Sequence, residues 1–154
     1  MDEHGSRSVR AGWSVRVLAV LAAAAVVAPT LPPGFVLVND MVFVPRQFLT
    51  ADALGAGSTL PRAVPADAVL AVITAVLPGD LLQKIVLAVT VFAAVLGAAR
   101  LAGTVAGEHR GLAAAVAGLV YGWSPYVAER LVMGHWSLLV GFAALPWVAA
   151  AALD

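Results

Sequence analysis

The chain alternates between long apolar runs and short polar breaks, and the run lengths set what each run can be. Residues 15–31 are apolar apart from Arg16, residues 81–101 apart from Gln83, Lys84 and Arg100, and residues 137–153 without a charge. A hydrocarbon core ~30 Å thick needs about 20 helical residues, so each of these runs is long enough to cross, or nearly so. A further run at 111–123 is short unless its helix begins before Arg110 or continues, kinked, past Pro125. The pattern predicts an all-α polytopic membrane protein with about four transmembrane helices, a long first outer loop and short interfacial helices. Its predicted parts are a tail (1–14), a first span (15–31), a long loop (32–80), a second span (81–101), a turn (102–110), a third span (111–123), an outer interfacial helix (124–135) and a fourth span (136–153).

Within the loop, residues 35–46 read FVLVNDMVFVPR, the only place where a carboxylate, Asp40, is flanked closely on both sides by bulky apolar residues. β-Branched and bulky residues on either side of Asn39-Asp40 predict a strand or a tight hairpin turning there. Thr50 reads as the N-cap of a short helix stopped by Gly55 and Gly57. Residues 65–77 form an apolar helix too short to cross, interfacial or re-entrant, closed by Pro78-Gly79. Asp67 and Asp80 sit at helix starts, where a carboxylate meets free N–H groups and the positive end of the helix dipole.

In the third run Ala114, Gly118 and Gly122 recur at four-residue spacing, a face that lets helix backbones approach closely. Ser124-Pro125 then reads as N-cap and first helical position, with Gly134 as the C-terminal stop. On that helix Tyr126, Glu129, Arg130 and Met133 share one face, and Val127 and Leu131 another. Trp13, Trp123, Trp136 and Trp147 read as interface anchors.

Composition agrees: the 154 residues are 62% hydrophobic and only 12% charged, against roughly 25% charged in soluble domains. Nine basic and nine acidic residues cancel, leaving no electrostatic footprint for nucleic acid. With no cysteine and three scattered histidines, disulfides and thiolate metal sites are excluded; no cofactor is implied, and a divalent cation would have to be held by carboxylates. The basic start and Ala-rich first run also fit a cleaved signal peptide, but Pro29 falls where the cut would lie, so an uncleaved anchor is the reading adopted.

Arg7, Arg10, Arg16, Arg100 and Arg110 fall on one side of the predicted topology, and Arg46, Arg62, Lys84 and Arg130 on the other. The positive-inside rule then puts the N-terminus in the cytoplasm. Two distant polar segments, one carrying Asp40 and one carrying Glu129, Arg130 and His135, fall together on the outer side. Asp40 reads from spacing alone as a solvated loop acid or turn-former, and from its apolar flanks as a partly desolvated carboxylate suited to accept a proton. Arg46 and Arg62 have the chemistry of phosphate ligands, but topology or lipid headgroup contact is the commoner explanation of such residues.

An early acid in a long outer loop (Val38-Asn39-Asp40-Met41), a short membrane-surface helix, and a later Tyr121-Gly-Trp-Ser-Pro-Tyr126 with Gly134-His135-Trp136 together resemble the start of the GT-C class of polyprenyl-phosphate-sugar glycosyltransferases. The chain is most similar to the large actinobacterial arabinofuranosyltransferase-like membrane proteins. The resemblance covers nearly the whole chain but only the first part of such an enzyme. It implies Asp40 as general base on an acceptor hydroxyl, with Glu129, Arg130, His135 and Arg46 as candidates for holding the donor's lipid-linked phosphate. It also implies a membrane-bound polyprenyl-phosphate sugar donor. On this reading the polypeptide is a fragment or the N-terminal module of a split enzyme in the cell membrane, inactive without its missing C-terminal part or a partner membrane subunit. The competing expectations are a four-span structural or assembly subunit without chemistry and, from the re-entrant-like helix, a transporter fragment.

Overall fold

The computed structural model describes residues 3–58, 60, 63–106 and 110–153, with side chains placed from Trp13 onward in the first helix. The described residues are all helix, turn and extended loop, without a strand. Among the described residues six α-helices follow in order: α1 (Glu3–Val27), α2 (Ala66–Thr74), α3 (Gly79–Val105), α4 (Arg110–Gly122), α5 (Pro125–Met133) and α6 (Trp136–Leu153), with one 3₁₀ turn, Ala28–Thr30. Four stretches are long and apolar enough to cross a membrane: Trp13–Thr30, Gly79–Val105, Arg110–Met133 and Trp136–Leu153. The protein is therefore a polytopic all-α protein, and its apolar faces suit association with membrane lipid.

The segment expected as a polar tail is helical from Glu3. Once a span has formed the costly first turn, adding preceding residues costs little, and no proline stands before Pro29 to stop it. Conversely α2 is shorter than the apolar run predicted, ending at Thr74, whose hydroxyl donates to Leu70 O at 2.7 Å. Thr50 caps a turn by accepting from Ala53 N at 3.2 Å, but no helix follows it.

Helix α3 is the centre of the bundle and packs against α1, α4 and α6. Ala19 and Ala22 of α1 lie against its Val91 and Val95. The small residues of α4 do what their spacing predicts: a Cβ on Gly118 would meet the carbonyl of Val95, and one on Gly122 the side chain of Val95. Trp147 has a packing role as well. It lies over Gly97, and its indole donates to Ala93 O at 2.9 Å, so its polar atom is satisfied by the backbone of α3.

Pro146 lies inside α6 and is buried. It has no N–H for the carbonyl one turn earlier, that of Phe142. The hydroxyl of Tyr121 donates to Phe142 O at 2.8 Å while the two rings stack at 4.1 Å. A side chain of α4 thus replaces a backbone donor that α6 lacks, a repair membrane helices need because hydrocarbon supplies no water.

The loop after α1 is held against the start of α3. Gln83, fully buried, accepts from Val36 N and donates to Val36 O, both at 2.8 Å. Beyond it the chain is extended: Met41 and Phe43 turn inward onto Leu82 and Leu87, and Val42 and Val44 face out. The alternation is that of a strand, but Val36 is bonded to Gln83, so no second strand forms. Gln83→Leu keeps the size of the side chain and leaves the N–H and C=O of Val36 without partners. It is expected to cost about 1–3 kcal/mol, read as a lowered thermal midpoint in detergent.

Candidate functional site

The Asn39-Asp40 turn and the end of α5 are built on one another. Met41 N donates to Val38 O at 2.8 Å across the turn, and Asn39 adopts a positive φ of 47°, a conformation asparagine tolerates better than most residues. Helix α5 begins as its sequence predicts, with the Ser124 hydroxyl accepting from Val127 N at 3.3 Å and Pro125 in the first turn. It ends at Gly134, φ 80°, with Gly134 N on Leu131 O at 3.1 Å and His135 N on Arg130 O at 2.9 Å. That pair is a Schellman motif, which satisfies two of the four carbonyls a helix end leaves open.

The loop supplies the other two donors. Asn39 Nδ2 donates to Val132 O at 2.7 Å, and Asp40 N donates to Met133 O at 3.1 Å. Every carbonyl in the last turn of α5 is therefore bonded, half of them by a segment more than ninety positions earlier. Gly134 is buried at this junction because a Cβ there would meet Met41 N, Val38 O and the carbonyl carbon of Asp40.

This seating brings three of the predicted residues into a chain. His135 Nε2 stands 3.3 Å from Asp40 Oδ2, and His135 Nδ1 stands 3.2 Å from Arg130 NH1. Arg130 lies over the Tyr126 ring at 5.3 Å, touches Met133 Sδ at 3.6 Å, and has Glu129 Oε1 at 3.8 Å from NH2. Its Nε is shielded from solvent and has no partner among the described residues.

Asp40 differs from expectation in one respect: its side chain is 78% exposed, so the desolvation expected from its apolar neighbours is absent. The reason is the alternation just described, since Met41 and Phe43 point into the core and leave the carboxylate at the surface. Ion pairs this exposed contribute only about 0.2–1 kcal/mol. The backbone bonds to α5, and not the charge pairing, fix the position of Asp40.

Asp40 forms part of the wall of a groove of about 400 Å³ between the loop, α2 and the start of α6. Across it stands Asp67, in the first turn of α2, with Gln47, Ser137 and the rings of Phe43 and Trp136 along its sides. Phe43 and Trp136 are 5.0 Å apart at 50°. No lysine or arginine lines the groove among the described residues, and no three histidine or acidic side chains converge there as a metal site would need.

Comparison with protein-family models, curated proteins and solved structures finds no match for this chain. The functional reading therefore rests on the site itself.

Of the residues singled out from sequence, Asp40, Glu129, Arg130 and His135 come together. Arg46 does not. It is exposed beside Pro45, whose carbonyl accepts from Gly79 N at 3.3 Å, and it has no ion pair with the others. Arg62, Glu108 and His109 lie outside the described residues. Sequence reasoning missed Asn39 as the clamp, Asp67 as a groove residue and Gln83 as the loop's anchor. Gln83 alone carried a signal: an uncharged polar side chain inside an apolar helix needs a partner.

Proposed function

We propose that this chain is the N-terminal membrane module of a glycosyltransferase that moves a sugar from a polyprenyl-phosphate donor to an acceptor hydroxyl outside the cytoplasm. The observation that carries the reading is the chain Asp40–His135–Arg130, at 3.3 and 3.2 Å, whose first member, Asp40, stands on the wall of the groove. Transfer of this kind needs a base on the attacking hydroxyl and a cation on the departing phosphate. Asp40 is the base. As the acceptor oxygen bonds to the anomeric carbon, the carbon–oxygen bond to phosphate breaks and the phosphate keeps the electron pair. The hydroxyl proton goes to Asp40.

Arg130 meets the phosphate. Its nearest carboxylate is too far for a hydrogen bond and its Nε is unpartnered, so its charge is incompletely compensated. The acceptor occupies the groove, where Asp40 and Asp67 disfavour an anion and the Phe43 and Trp136 rings suit the apolar face of a neutral sugar. The groove is open on one side, so the working site is closed by further membrane helices, of the same polypeptide or of a partner.

Membranes from cells that make the protein test this with a labelled polyprenyl-phosphate sugar and a neutral glycan acceptor. Removing the chain is expected to abolish transfer, and Arg130→Gln to lower it about 10–100-fold through weaker donor binding, the loss of a charge-assisted hydrogen bond. Undiminished transfer without the chain overturns the reading. The exposure of Asp40 favours a second reading, an assembly subunit whose loop and α5 dock a catalytic partner. Removing that subunit also abolishes transfer, but charge-removing substitutions within the groove leave it intact.

A further inference from the structure

The two contacts of the His135 ring restrict which ring nitrogen carries a proton, and give the ring a role separate from phosphate binding. A guanidinium has only N–H donors and no acceptor, so the 3.2 Å contact between Arg130 NH1 and His135 Nδ1 is a hydrogen bond only when Nδ1 carries a lone pair. The proton of the neutral ring then sits on Nε2, which faces Asp40 Oδ2 at 3.3 Å. An ionised carboxylate is an acceptor, so in this tautomer every member of the chain faces a complementary partner: Arg130 NH1 can donate to His135 Nδ1, and the Nε2–H points its proton toward the Asp40 carboxylate.

The geometry points to His135 as the positioning residue of the base, held in its neutral Nε2–H form by Arg130 and fixing the Asp40 carboxylate through Oδ2. This inference rests on the glycosyltransferase reading for its consequence, although the tautomer itself does not. Both ring nitrogens are occupied, leaving the imidazole no donor for a phosphate. Asp40 Oδ1 has no hydrogen bond among the described residues and is the oxygen left to take the acceptor's proton. His135 neither gains nor loses a proton in that step. The charged groups facing the ring are Asp40 from the loop and Arg130 from its own side, with Glu129 behind Arg130 and Asp67 across the groove.

The full chain, ¹⁵N-labelled at histidine in lipid nanodiscs at neutral pH, shows the tautomer in the ring nitrogen shifts once the His135 signals are assigned by their loss in His135→Gln. The expected spectrum is protonated Nε2 and bare Nδ1, turning into a mixture of tautomers in Arg130→Met. A protonated Nδ1 in the wild-type chain overturns the inference whatever the activity.

Glutamine carries an NH₂ donor group and a carbonyl acceptor on a planar end, so it can bridge Arg130 and Asp40 as the neutral ring does. In the membrane transfer assay, His135→Gln is therefore expected to keep transfer within about tenfold of wild type. His135→Ala is expected to lower it about 100-fold, the loss that follows from a misplaced reacting group. Equal losses in the two variants, at equal protein levels, overturn the positioning role. If neither the wild-type membranes nor any variant transfers sugar, the enzymatic reading fails, and the nitrogen shifts still decide the tautomer.

Discussion

Asp40→Asn is expected to lower sugar transfer by about 10²–10⁴-fold, the span general-base catalysis contributes, while the protein accumulates and unfolds as wild type. The two halves of that expectation have separate causes. Asparagine has nearly the shape of aspartate but cannot take a proton from the acceptor, so the chemical step loses its base. The fold, by contrast, does not depend on the charge. Asp40 is held by its own backbone N–H on Met133 O and by the Asn39 side chain on Val132 O, and neither bond involves the carboxylate. The amide oxygen can still accept from His135 Nε2, so the ring keeps its partner. The measurement is initial transfer rate per amount of protein in membranes, beside the thermal midpoint in detergent. Wild-type turnover removes Asp40 from catalysis and leaves the assembly-subunit reading standing. A fall in both rate and midpoint assigns Asp40 a structural role.

How much of this was legible in the sequence depended on whether a feature is local or long-range. The three full-length runs, the cap at Ser124, the stop at Gly134 and the close face of Ala114, Gly118 and Gly122 depend on spacing within one helix, and the structure has each of them. The meeting of Asp40 with Glu129, Arg130 and His135 follows from counting crossings, because an even number of spans separates the two segments. Counting brings them to the same end of the bundle, but only three-dimensional contact shows that His135 faces Asp40. Asn39 read as a turn residue and nothing more, since its partner, the carbonyl of Val132, is an unremarkable atom of a distant helix. Asp67 had a sufficient local explanation in the first turn of α2, and the groove that gives it a second role exists only once α2 lies beside the start of α6. Flanking sequence misled for Asp40 because apolar neighbours in an extended segment point alternately inward and outward. Two of them bury themselves and leave the carboxylate in the open.

The same long-range dependence makes Gly134 the most consequential position for the site's architecture. Gly134→Ala places a methyl group where the backbone of the Asn39-Asp40 turn already lies, against Met41 N, Val38 O and the carbonyl carbon of Asp40. Backbone cannot rotate aside as a flexible side chain can, so the turn has to leave the end of α5. Alanine is also disfavoured at a φ of 80°, by roughly 1 kcal/mol. Displacing the turn strips the carbonyls of Val132 and Met133 of their donors, about 1 kcal/mol each if water does not replace them. The expected total is about 2–4 kcal/mol, seen as a lowered thermal midpoint and as faster proteolysis within residues 31–49. Asp40 moves away from His135 at the same time, so transfer is expected to fall at least as far as in His135→Ala, and His135→Gln in the same chain is not expected to restore it. Separating the two effects needs Asn39→Ala, which removes the bond to Val132 O and leaves the backbone free of any clash. It is expected to give a partial loss of both stability and transfer. Should Gly134→Ala behave as wild type by both measures, the loop is not seated on α5, and the shared site of Asp40 and His135 does not exist in the membrane.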